Sequence, residues 1–237
     1  MKKVLALTLA FVALAAFSTA SLAQDDDAVY SVNTIGVVKY TIPAEGKLAC
    51  ISMPLDPPPD ATSNVWSNCT LSEQLPKGSA VYFWDSENQQ WLTCAKSGLG
   101  WTPALRNREL HPGEAIFVRQ AATATDDLVV SMVGELNPDE TTTINLTGSG
   151  NLDVKGLSAY PISTTFTNTV FADALSKNSA VYFWDVDNQQ WLTCAKSGLG
   201  WTPALRNRVV GVGEGVMVKE AGSVTEVTDR SPLAPEE

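Results

Sequence analysis

His111 is the only histidine of the 237-residue chain. Imidazole acid–base catalysis, a histidine triad or a histidine-based zinc site would therefore depend on one position. Its counterpart one hundred positions on is Gly211, and no serine lies in a Gly-x-Ser-x-Gly elbow. His111 precedes Pro112 and reads as a turn residue. Carboxylates could support glycoside hydrolysis without histidine, and the candidate pairs are Asp85 with Glu87 and Asp185 with Asp187. Both pairs fall at a hairpin tip, in a solvated turn where nothing would raise the pKa of an acid. The same turn offers oxygen ligands suited to calcium but lacks EF-hand spacing. Asp and Asn more simply cap such turns by hydrogen-bonding their own backbone. The chemistry-bearing residues thus predict no catalytic group, no metal site and no cofactor, and the chain reads as a non-enzyme.

Four cysteines remain: Cys50, Cys69, Cys94 and Cys194. In an exported protein they are expected to be bridged, with three possible connectivities. Cys94 and Cys194 occupy equivalent positions, whereas Cys50 and Cys69 have no such partners. The expected pairing is Cys50–Cys69, with Cys94 and Cys194 either bridging the copies or left as two buried thiols. Their spacing fits no zinc pattern.

Two other groups could bind a ligand. Tyr82, Trp84 and Trp91, with Tyr182, Trp184 and Trp191, are large aromatics with polar tips. If the hairpin loop between Asp85 and Gln90 has an even length, each trio shares one face, opposite Val81, Phe83, Leu92 and Cys94. Exposed, such a face is a platform for stacking on sugars; covered, it is core. The following loops carry Trp101 and Trp201, and concentrate Lys96, Arg106, Arg108, Lys196, Arg206 and Arg208 in an otherwise acidic chain. These cations could contact a small anion, an acidic polysaccharide or a neighbouring molecule, or be ordinary solvated charge. Their glycines match no phosphate-binding loop, because no Gly-Lys-Ser/Thr follows.

What must position these residues is written twice. Ser79–Arg108 and Ser179–Arg208 differ only at Ser86/Val186 and Glu87/Asp187. The chain is a tandem duplication. Copy 1 is expected to open near Gly36 and copy 2 near Gly134, which are 98 positions apart. Pro54 and Pro161 lie 107 apart, so copy 2 gains nine residues around Asn137 to Thr143. Copy 1 then gains seven, in a loop from Asp56 towards Cys69 that contains Pro57, Pro58 and Pro59. Short runs rich in Val, Ile, Tyr, Phe and Trp, bounded by Gly, Pro, Asp or Asn, read as strands. They cover 36–42, 47–53, 80–85, 89–95, 115–119 and 128–136 in copy 1, and 142–146, 153–159, 180–185, 189–195 and 215–219 in copy 2. Helix is limited to about one turn at Leu71–Leu75 and at Phe171–Leu175. The expected fold is all-β, with two tandem homologous β-sandwich or small-barrel units. Residues 24–126 form copy 1, 127–228 copy 2, and 229–237 a disordered tail.

Residues 1–23 read as a signal peptide, with Lys2 and Lys3 before the apolar run Val4–Phe17 and small residues at Ser21-Leu22-Ala23. The expected location is periplasmic, cell-surface or extracellular, and no later run is long enough to span a membrane. Loss of Lys2 and Lys3 takes the formal charge from −10 to −12. A field of that sign repels phosphate and argues against nucleic acid as a partner.

The succession Ile35-Gly36-Val37-Val38-Lys39, Met53-Pro54-Leu55, Ala80-Val81-Tyr82-Phe83-Trp84-Asp85, Pro112-Gly113-Glu114-Ala115-Ile116-Phe117-Val118 and Val133-Gly134-Glu135 resembles exported two-copy β proteins predicted in planctomycete- and verrucomicrobium-like bacteria. The resemblance covers nearly the whole mature chain and implies an exported β-rich build without implying an activity. The sequence therefore points to a non-catalytic structural or assembly protein of the cell surface, such as a subunit of a filament or layer. Its partners would be other copies or another surface protein, with 25–32 available as a pairing strand. The alternative is a carbohydrate-binding module that presents its aromatic site twice to a polysaccharide.

Overall fold

The computed structural model describes residues 35–57, 65–137 and 141–232. The expected signal peptide, the segment 24–34, the proline-rich stretch 58–64, residues 138–140 and the end of the tail lie outside the described residues. The chain is all-β. The first set of elements is β1 (Ile35–Ile42), β2 (Ala49–Ser52), α1 (Thr70–Gln74), β3 (Ala80–Asp85), β4 (Gln90–Ser97), β5 (Gly100–Trp101), β6 (Ala115–Arg119) and β7 (Leu128–Glu135). The second is β8 (Thr141–Asn145), β9 (Leu152–Gly156), β10 (Thr164–Thr165), α2 (Val170–Ala174), β11 (Ala180–Asp185), β12 (Gln190–Ser197), β13 (Gly200–Trp201), α3 (Pro203–Arg206), β14 (Val209–Val210), β15 (Gly215–Lys219) and β16 (Glu226–Arg230).

Each set builds a five-stranded antiparallel sheet, ordered β2-β6-β3-β4-β5 in the first and β9-β15-β11-β12-β13 in the second. Each adds a two-stranded ribbon, β1-β7 and β8-β16. The alternation of side chains explains why the central strands are buried throughout. In β6, Ile116 and Val118 enter one core, while Ala115 and Phe117 face the opposite sheet. In β15, Val216 and Val218 enter the second core and Met217 faces across. Three clusters result. One lies within each set, and the third joins them, so the described residues fall in one compact unit.

Two expectations about copy boundaries change. Gly36 and Gly134, aligned from the sequence as equivalent openings, are instead opposite one another in the β1-β7 ribbon. Both are glycines because Leu55 and Asp56 cross the ribbon there. A Cβ on Gly134 would collide with the Asp56 carbonyl, and the Asp56 and Glu135 backbones exchange two hydrogen bonds of 2.9 Å. The stretch 128–135 therefore closes the first set and packs Val130 and Met132 in its core. Likewise, β16 reaches Arg230, inside the expected tail. Asp229 is buried and accepts hydrogen bonds from Ser158 Oγ and Ala159 N. Its polar, turn-like sequence concealed an edge strand whose buried acid is satisfied from elsewhere in the chain.

The two sets interlock reciprocally. Ser52 N donates to Gly213 O at 2.7 Å, and Gly156 N donates to Gly113 O at 2.9 Å. Gly113 and Gly213 have φ of 84° and 72°. A Cβ at Gly113 would press on Ile144 of β8, and one at Gly213 on the Tyr40 ring of β1. The Pro112-Gly113-Glu114 turn and its counterpart thus cross into the other set's core.

Candidate functional site

The β3–β4 loop holds four residues, Ser86 to Gln89, because Asp85 pairs with Gln90. Its even length places Trp84 directly opposite Trp91, and Trp184 opposite Trp191. The aromatic trios do share a face in each sheet, with Val81, Phe83 and Cys94 on the other. That aromatic face is turned towards the opposite sheet. Trp84 and Trp91 meet edge-on with centroids 4.9 Å apart, and Trp184 and Trp191 at 5.0 Å. Phe117 sits among them, 5.1 Å from Trp91, 4.9 Å from Trp184 and 5.4 Å from Trp191. Tyr82 and Tyr182 pack at the margin of the same cluster, half-buried. The polar tips are also used across the join. Trp84 Nε1 donates to Leu152 O at 2.7 Å, and Trp184 Nε1 to Leu48 O at 2.9 Å.

The glutamines that end the two turns reinforce this contact, and sequence reading passed over them. Gln89 Nε2 donates to Leu152 O and its Oε1 accepts from Leu152 N. Gln189 does the same with Leu48 O and Leu48 N. Both glutamines have φ of 52°, which turns each amide towards the opposite sheet. The available signal was their position: the last loop residue of a hairpin written twice with two loop differences.

The loop cations divide three ways. Lys96 Nζ donates to the carbonyls of Ser72, Glu73 and Leu75 at 2.8, 3.1 and 2.7 Å, where α1 ends. Lys196 does so with Ala172, Asp173 and Leu175. Orphaned carbonyls at a helix C-terminus attract such a cation. Each ammonium also lies 5.4 Å from the centroid of Trp101 or Trp201. These two tryptophans, expected on a binding surface, are core residues packed on Trp66 and Phe166. The lysines are structural for the same reason. Arg106 and Arg206 are exposed. Arg108 and Arg208 lie over the Phe83 and Phe183 rings but then diverge. Arg208 Nη2 pairs with Glu214 Oε1 at 2.7 Å, whereas Arg108 Nη2 donates to Trp84 O at 3.2 Å.

A cleft of about 360 Å³ opens beside Arg108, between the β3–β4 turn and β9. Trp84, Arg108, Glu114 and Lys155 line it with the turn residues Asp85 to Asn88. Of the expected binding residues, Trp84 and Arg108 meet here.

Asp85 accepts from Asn88 N at 3.1 Å and from Asn88 Nδ2 at 2.9 Å, and Asp185 and Asn188 repeat this. These bonds, the Asn88 and Asn188 side-chain amides foremost, hold both carboxyls below their ordinary value. They are turn caps, with none of the burial a general acid needs. His111 is exposed, with Glu109 Oε2 at 3.7 Å. No group of three or more potential metal ligands occurs among the described residues.

The expected Cys50–Cys69 bridge is not formed, and of the two arrangements expected for Cys94 and Cys194 the structure shows the two buried thiols: all four cysteines are free. Cys50 faces the inter-sheet cluster, while Cys69 packs against the first core, so one sheet separates them. Cys94 and Cys194 lie in two different cores. Burial pushes the Cys50, Cys69, Cys94 and Cys194 thiols up, away from the reactive thiolate.

Sequence reading also missed three buried carboxylates of the second set. Asp153 accepts from Thr147 N and Oγ1, Asp229 from Ser158 Oγ and Ala159 N, and Glu220 from Ser176 N, Ser179 Oγ and Gly222 N. Each ties a loop to a strand. The chain matches no protein-family model, no curated protein and no solved structure.

Proposed function

We propose that this is an exported, non-catalytic assembly protein of the cell surface, and that copies associate through the free edges of β4 and β12. One observation carries this reading. In β4 the amide of Lys96 donates inwards to Ser79 O, so by alternation Trp91, Thr93 and Ala95 present their backbone groups outwards. Thr102 satisfies Ala95, and β5 pairs only with Lys96 and Ser97. Among the described residues, the outward N–H and C=O of Trp91 and Thr93 have no backbone partner. The same edge recurs at Trp191 and Thr193 in β12. Unpaired strand edges are templates for another strand. Two equivalent edges on one molecule permit chain growth, whereas one would stop at a dimer.

The adjoining tips support the same use. Leu99 and Leu199 are fully exposed at the β4–β5 and β12–β13 turns, and Ser97 Oγ or Ser197 Oγ fixes each turn by accepting from the leucine amide. Each leucine adds apolar area beside a free edge, where a pairing strand would cover it. The aromatic rings, by contrast, make their contacts inward between the sheets, which favours assembly over a duplicated sugar platform.

The test is sedimentation velocity of the mature protein over a wide concentration range. Growth to large species is expected, and Thr93→Pro with Thr193→Pro should abolish it, because the lost N–H faces outwards. Thr93→Lys with Thr193→Lys serves as the second edge block. A monomer at every concentration would overturn the reading.

A further inference from the structure

We propose that the cleft between the β3–β4 turn and β9 binds a hydroxyl-rich carboxylate of the uronic-acid class. Two equivalent arginines are paired differently in the two sets. Arg208 is neutralised by Glu214 at 2.7 Å. Arg108, in the same thirty-residue block, forms no ion pair among the described residues, although Glu114 stands where Glu214 does. The neighbouring strand differs. Ile116 of β6 is paired with Ile51, while Val216 of β15 is paired with Lys155, so Ile51 and Lys155 are equivalent positions. Glu214 is bridged through its backbone to Ile51, and Glu114 to Lys155. The first set's arginine thus shares its surroundings with a second cation, and the second set's arginine does not.

Lys155 is half-buried and likewise forms no ion pair among the described residues. The cleft therefore contains two partly buried cations, neither held in an ion pair among the described residues, in about 360 Å³ of space. That volume falls within the range of small-molecule sites. Phe83, Ile116 and Val154 supply an apolar floor, and Trp84 a wall. Asp85, Glu87 and Glu114 also line the cleft and are acceptors for hydroxyl groups.

This mixture selects the ligand. An inorganic phosphate would meet both cations but also three carboxylates, and would offer those carboxylates few donors. A neutral sugar would satisfy the carboxylates and leave Arg108 and Lys155 unpaired. One carboxylate held between Arg108 and Lys155, on a ring of hydroxyls facing the acids, satisfies both sets. The counterpart region of the second set lacks the lysine and has its arginine already paired. The expected stoichiometry is therefore one ligand per chain, despite the duplication. This reading is independent of the edge-strand assembly, and the edge-blocked variant should bind equally well.

The experiment is isothermal titration of the full mature chain with D-galacturonate and trigalacturonate, with D-galactose and inorganic phosphate run in parallel. One uronate per chain is expected, with Lys155→Gln weakening it at least about 10-fold, as loss of a charged hydrogen bond does. Lys219→Gln, which removes the same charge from an exposed site outside the cleft, should leave binding unchanged. Circular dichroism checks that both variants are folded. The proposal is overturned if neither uronate binds, if galactose or phosphate binds as tightly, or if the two lysine variants behave alike.

Discussion

At the residue scale, the duplicated positions act as internal controls, because the same side chain can be compared in two settings. Gln120 and Glu220 are equivalent and both buried. Gln120 uses its amide as a donor, to Ile42 O and Asp126 O. Glu220 is only an acceptor, from Ser176 N, Ser179 Oγ and Gly222 N. Burial pushes the Glu220 carboxyl up, but these donors outweigh it and hold the group below its ordinary value. A folded value below the unfolded one means that the unfolded chain binds more protons as the solution becomes acid. The stability Glu220 supplies is then fully present above the usual glutamate value of about 4.3, and is lost as pH falls through the lower folded value. Glu220→Gln should cost about 1.5–3 kcal/mol at neutral pH, the range for hydrogen bonds to a charged group. The deficit should shrink as the pH is taken below about 4. Urea midpoints of both proteins against pH provide the check, and a constant offset at all pH values would refute the assignment.

At the element scale, α1 and α2 are one-turn helices with different caps. Thr169 caps α2, its Oγ1 accepting from Ala172 N at 3.3 Å. Cys69 occupies the same place before α1 with extended backbone and no side-chain cap bond. Cys69→Thr should therefore stabilise the protein by about 0.5–1 kcal/mol, in the range of a side-chain N-cap. Thermal unfolding measures it, and a lower midpoint would contradict the equivalence. The strands themselves were legible in the sequence: β3, β6, β11 and β15 have the predicted bounds. Their alternation and bounding turns are local properties. Elements whose partners are remote were not legible. The two-residue strands β10 and β14 exist only because Thr164 and Thr165 have Val210 and Val209 to pair with. The glycine match that set the copy boundary was a cross-strand pair.

At the scale of the whole molecule, the join between the sheets is held by paired amide clamps and an aromatic cluster. Gln89 and Gln189 each make two hydrogen bonds to the opposite sheet. Gln89→Ala with Gln189→Ala should remove about 2–6 kcal/mol in total, at roughly 0.5–1.5 kcal/mol per bond, and let water reach Trp84 and Trp184. A red-shifted tryptophan emission before global unfolding is the signature. An unshifted spectrum with wild-type stability would show that the aromatic cluster suffices alone. The candidate site was half legible. Trp84 and Arg108 stood out by type, but Lys155 lies in a segment that carries no motif and Glu114 in a turn motif without a binding role, and both join the cleft only through tertiary contact.

The sequence by itself determined the duplication and the β character, and it set out the strand faces for an even hairpin loop, because these follow from residue type and a period of two. Only the tertiary structure decided which faces are covered. It turned the aromatic stripe into a join, the loop lysines into helix caps, and the expected disulfide partners into thiols on opposite sides of a sheet. It also made two identical arginines unequal, since the residue beside each comes from the other set. A thirty-residue block repeated with two differences fixes its own local geometry, but its surroundings are supplied by segments such as those of Leu152 and Leu48, 68 and 136 positions from Trp84 and Trp184, and those are not repeated.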